Sequence, residues 1–121
     1  MSSTTEPNYL SDLLLVEGKP GLTKDNVIIT AGSYAMGTVL ARVSGKYLPV
    51  DPAGTGAAKV SRAVLVEAVN ASAADKPGVV IARNAAVDAA FLVWPVGISD
   101  SAKATALDEL DARGIVARTT L

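Results

Sequence analysis

The sequence contains no cysteine and no histidine. The first absence removes disulfides and thiolate chemistry, so the redox compartment leaves no mark on the chain. The second removes imidazole ligands for zinc and the only side chain that titrates near neutrality unperturbed, and with it the usual general base of most hydrolytic schemes. Aromatic residues make up only 4% of a chain that is 50% hydrophobic, so the core is to be built from Val, Leu, Ile and Ala with few large rings. Charge of neither sign dominates: 11 Lys and Arg stand against 12 Asp and Glu, a net charge of -1. The basic residues are scattered singly from Lys19 to Arg118, without the cluster or excess that a nucleic-acid partner demands. No apolar run approaches the roughly 20 residues of a membrane span. The longest early run, Leu13-Leu14-Leu15-Val16, is bounded by Asp12 and Glu17, and Met1 to Glu6 lacks the basic residues of a secretory leader. These readings point to a soluble protein made in the cytoplasm, with no membrane or nucleic-acid partner, no metal and no cofactor.

At 121 residues the chain fits one domain. Residues 1–8 are small and polar. Tyr9 to Glu17 is conspicuously apolar and is cut off by Gly18-Lys19-Pro20-Gly21, so it either packs back on its own domain or docks elsewhere. From Val27 the texture becomes that of strands and short turns. Val27–Thr30, Gly37–Val43 and Lys46–Val50 read as strands, with Pro49 marking an edge position because proline donates no ladder hydrogen bond. Asp51–Lys59 reads as a loop, Ala63–Val69 as a strand buried on both faces, and Gly78–Arg83 as another strand. Ala86–Val93 is ambiguous, since its alanines favour helix while Val87, Phe91 and Val93 favour strand. One helix is clear: Ser99 or Asp100 caps it, and Ala102, Ala106, Leu107 and Leu110 form its apolar stripe. Arg113 suits its C-terminal end, and Gly114 stands where a left-handed residue is wanted. Ile115–Arg118 returns as a final strand.

Groups that could carry chemistry are few. Gly54-Thr55-Gly56-Ala57-Ala58-Lys59-Val60-Ser61 has one residue between its glycines where a phosphate-binding Walker A loop has four, and Val60 follows Lys59 where a hydroxyl is required. Asp108, Glu109 and Asp111 fall on the solvated side of the helix, without the converging loop oxygens of a cation site. Ser44 with Lys46, or Ser99 with Lys103, would serve as a Ser–Lys dyad only with a buried lysine of depressed pKa, and nothing nearby suggests one. Trp94-Pro95 reads as an anchor, either in the core or at a subunit interface.

Phe91-Leu92-Val93-Trp94-Pro95, followed by Ser99-Asp100, a helix and Gly114-Ile115-Val116, resembles the C-terminal half of the lambda-type bacteriophage head decoration proteins. In that family a Leu-x-Trp-Pro or Leu-Trp-Pro element precedes a capped helix and a closing strand. Leu10-Ser11-Asp12-Leu13-Leu14, Val27 to Gly32, Gly37 to Leu40 and Lys46 to Pro52 are similar to the family's upstream elements, in the same order. The collinear likeness spans about residues 8 to 118. It implies a mainly β fold, a β-clip-like bent ribbon of strands, with one C-terminal α-helix and an extended N-terminal arm. The corresponding division is an arm over 1–26 and a single β-rich domain over 27–121. The resemblance further implies a non-enzymatic homotrimer that binds the major capsid protein on the outer surface of the virion head, at three-fold and quasi-three-fold positions, and stabilises the shell. Tyr9, Leu10, Leu13, Leu14, Leu15 and Val16 become the arm's contacts, and Phe91, Trp94 and Pro95 the trimer or core anchor. The competing expectations are another phage structural trimer, associated with tail or fibre, and a small ligand-binding β-domain.

Overall fold

The computed structural model describes residues 14–17 and 23–118. Ten strands and one helix follow in chain order: β1 (Leu14–Glu17), β2 (Lys24–Ile29), β3 (Ser33–Tyr34), β4 (Val39–Val43), β5 (Lys46–Pro49), β6 (Ala63–Leu65), β7 (Val69–Asn70), β8 (Lys76–Ile81), β9 (Ala85–Asp88), α1 (Asp100–Ala112) and β10 (Ile115–Arg118). Among the described residues the fold is thus mainly β, with one long helix near the C-terminal end, as the sequence indicates. Its strands do more than bend, because β2, β5, β4, β6 and β8 close into a five-stranded barrel.

The barrel follows from period-two alternation along strands buried on both faces. Ile29, Leu40, Ala63, Leu65 and Val80 form one buried cluster with Val27, Tyr47 and Ala82 against it, so all five strands contribute to the interior. The alternate residues Val39, Ala41, Val64 and Ile81 point outward and form a second cluster with Val87, Leu92, Leu110 and Ile115. That outer layer is a three-stranded sheet in the order β1-β9-β10, with α1 beside it. β4 and β5 are joined by Ser44-Gly45, both with positive φ (53° and 81°), the two-residue turn whose twist matches a hairpin.

Several elements depart from their sequence reading. β2 starts at Lys24, three residues before Val27, because its first residues pair with β8 (Lys24 opposite Ile81). The run from Ala63 breaks after Leu65 and resumes as β7, which pairs with β3; between them Glu67 and Ala68 are exposed. The ambiguous segment divides itself: Ala85–Asp88 is strand, and Ala89–Phe91 is one 3-10 turn capped by Asp88, whose carboxylate accepts from the Ala90 N–H at 2.9 Å. The helix has the cap anticipated for it, with Ser99 Oγ accepting from the Ala102 N–H at 3.1 Å. Gly114 follows with φ of 86°.

Candidate interaction surfaces

Three surfaces bear on function. The first is the outer sheet. β9 is its central strand, with β1 antiparallel on one side (Leu14 opposite Val87, Val16 opposite Ala86) and β10 parallel on the other (Ala117 opposite Val87). The register slips between Leu14 and Val16, a bulge of the kind common on edge strands. Leu14, Leu15 and Val16, read from sequence as arm contacts, therefore sit in a ladder of their own chain, and the residues from Lys24 to Asn26 belong to the barrel. β1 stands at the edge of this sheet, so its backbone is paired on the β9 side. Tyr9, Leu10 and Leu13 lie outside the described residues.

The second surface is the segment after the 3-10 turn. It is stitched to the barrel through Gly37, whose carbonyl accepts from the Val93 N–H at 2.8 Å, while the Val39 N–H donates to the Val93 carbonyl at 3.2 Å. Thr38 forms a parallel bridge with Val93. Gly37 has φ of 94°, and a Cβ there would collide with the Phe91 carbonyl oxygen, so this approach requires glycine. Phe91 and Trp94 are half-buried against the outer core cluster, and Pro95 is half-buried beside them. Next to these residues the chain presents Val93, and Val96 is fully exposed.

The third surface was not legible in the sequence. A cleft of about 1110 Å³ opens between β2 and β5 and is lined by Asp25 to Ile28, Arg42, Tyr47, Arg62, Arg83, Glu109 and Arg113, among others. The Arg83 guanidinium grips the Asp25 carboxylate with two hydrogen bonds, 3.1 and 2.7 Å, and that bonding holds the Asp25 pKa below the ordinary carboxylate value. Glu109, expected on a solvated face, instead accepts from the backbone N–H and the hydroxyl of fully buried Ser61 at 3.0 and 3.3 Å. The single Ser61 hydroxyl proton is shared between Glu109 and the nearer Ala106 carbonyl at 2.6 Å, which ties α1 to the barrel. Among the described residues, no carboxylate pairs with Arg42, Arg62 or Arg113. Burial, and then the positive charge of Arg62, push the Arg113 pKa down.

The residues weighed for a Ser–Lys dyad have other partners. Lys46 is paired with Asp75 at 2.6 Å, and Ser99 is occupied as the helix cap. No group of three or more acidic, His or Cys side chains suited to a metal occurs among the described residues, and no helix there is long and apolar enough to cross a membrane.

A search of curated proteins finds no match. The family model described as bacteriophage lambda head decoration protein D matches residues 3–115. A match over nearly the whole length takes in β1 and β9 of the outer sheet, the glycine-stitched tryptophan segment, the barrel and the helix together: the chain belongs to the bacteriophage lambda head decoration protein D family.

Proposed function

We propose that this decoration protein is a homotrimeric cement for the phage head, bound to the outer surface of the mature capsid at three-fold and quasi-three-fold positions. The observation that carries the reading is the family match over residues 3–115. The physical argument is multivalency. The segment ahead of β1 holds Tyr9, Leu10 and Leu13 in a stretch too short to make a core of its own, and burial of its apolar groups against the major capsid protein supplies a modest contact. Extended chain laid along a sheet edge gains backbone hydrogen bonds for affinity and side-chain pockets for specificity. Three such segments on one trimer engage together, and linkage of that kind raises apparent affinity by about 10²–10⁴. A ligand that binds only the assembled shell stabilises it by mass action, which offsets the pressure of packaged DNA. The exposed Val93 and Val96, beside Phe91, Trp94 and Pro95, supply the apolar contact for subunit association. The role requires no catalytic group.

The test is co-sedimentation of the purified protein with mature heads, run beside a mass measurement in solution. The expected results are retention on heads and a particle of three times the 12.3 kDa chain mass. A variant lacking residues 2–13 retains β1, and with it the cover of β9; it should remain trimeric and lose its grip on heads. A monomer at micromolar concentration, or preference for isolated tails over heads, overturns the reading.

A further inference from the structure

The barrel is closed at its β2–β5 seam by a single rung. Ile29 lies opposite Tyr47 in a parallel pair, and the Thr30 N–H donates to the Tyr47 carbonyl at 3.0 Å. β2 continues back from that rung through Ile28, Val27, Asn26 and Asp25, and β8 pairs with it along its full length on the other side. β5 cannot follow, because it begins at Lys46, just after the Ser44-Gly45 turn. Among the described residues, no strand therefore lies beside the outer edge of β2 ahead of this rung. Residues 25–28 form a wall of the cleft, and Gly45 lines it as well. A row of unpaired backbone groups is a template for one more strand.

The rim of this slot is selective. Arg42 stands on β4, Arg62 precedes β6, and Arg113 caps the C-terminal end of α1; all three line the cleft and lack a carboxylate partner among the described residues. The two acids of the cleft are already engaged, Asp25 by Arg83 and Glu109 by Ser61. Unpaired positive charges held side by side repel, and an incoming anion relieves that repulsion. Ile28, 42% exposed, offers an apolar contact in the same wall. A nucleic acid satisfies the arginines but cannot continue a β-ladder, so a peptide fits both features and a polynucleotide only one.

We propose that this open seam receives an extended acidic segment of the shell protein, which pairs with the backbone of Asp25–Ile28 and sets its carboxylates against Arg42, Arg62 and Arg113. The inference rests on the capsid-binding reading above. It adds a second contact of opposite sense, in which the shell lends a strand to the decoration protein.

The test compares the wild-type chain with R62E/R113E and R62K/R113K in co-sedimentation with mature heads, with amide hydrogen exchange followed on the free and head-bound wild type. The charge reversal should weaken binding by at least about tenfold, the scale of one lost charge-assisted hydrogen bond. The lysine pair should restore most of it, and the amides of Asn26 and Ile28, which share the side of β2 that the Thr30 N–H turns to Tyr47, should gain protection on heads. Should R62E/R113E fail to fold, the exchange measurement on the wild type decides alone. Wild-type binding that the charge reversal leaves unchanged, or Asn26 and Ile28 amides that exchange as freely on heads as in solution, overturns the seam contact and leaves the cement role standing. Failure of the wild type to bind heads overturns both. Capture of a duplex oligonucleotide that depends on Arg62 and Arg113 overturns the choice of a peptide.

Discussion

Replacement of Gly37 by alanine probes how the tryptophan segment is held. Two costs add. At φ of 94° an L-residue is strained by roughly 1–2 kcal/mol. The new Cβ also meets the Phe91 carbonyl oxygen, which belongs to the backbone and cannot rotate aside. Either strand β4 or the 91–93 segment must withdraw. That withdrawal breaks the bonds from the Val93 N–H to Gly37 and from the Val39 N–H to Val93, worth about 1 kcal/mol each. The expected loss is therefore about 3–4 kcal/mol, a large part of the stability of a small domain. Gly45→Ala is the control. Gly45 has φ of 81°, but a Cβ added there would meet nothing within 4 Å, so the variant should lose only the torsional part, roughly 1–2 kcal/mol. Urea unfolding of both variants, followed by the fluorescence of Trp94, measures the difference. Losses equal within about 0.5 kcal/mol would refute the claim that close approach, rather than backbone conformation alone, fixes Gly37.

Leu110→Ala empties a fully buried site in the outer cluster and should cost about 3 kcal/mol by calorimetry, with the three-stranded sheet loosening first in hydrogen exchange. Ser99→Ala removes the helix cap and should cost about 1 kcal/mol, read as a lower unfolding midpoint with an unchanged m-value. Because its hydrogen bonds to Arg83 lower the Asp25 pKa in the folded state, the resulting stability is present above the unfolded carboxylate value and is lost as pH falls through the folded one. Asp25→Asn should therefore flatten the decline of the unfolding temperature below about pH 4, and an unchanged profile would remove this pair from the acid response.

What could be read from the sequence was local. The helix is written in its cap, stripe and terminal glycine, and the strands in their β-branched runs, because these signals act over a few residues. Pairing is a different matter. Leu14 meets Val87 only after the chain has passed through the barrel, and no periodicity in Leu13–Val16 distinguishes a strand that returns to its own β9 from one that docks elsewhere. Glu109 looks like any acid on a wet helix face, because its partner Ser61 lies 48 residues away. Arg42, Arg62 and Arg113 read as scattered basic residues, and only the seam between β2 and β5 gathers them. Gly37 is visible as the start of a strand, but the carbonyl that forbids it a side chain comes from Phe91.

The arrangement of the outer sheet has a practical corollary. Since β1 runs antiparallel to β9 and β10 parallel to it, Leu14 and Ala117 flank the same residue, Val87. Leu14 and Ala117 thus stand about 10 Å apart, two inter-strand spacings, at one end of one sheet. A polypeptide fused directly after Arg118 would therefore start beside Leu14 of β1, so cargo displayed from that side needs a spacer to clear the sheet. The same proximity suits circular permutation, with a short bridge joining Arg118 to Leu14 and new ends opened in the exposed loop around Ala53.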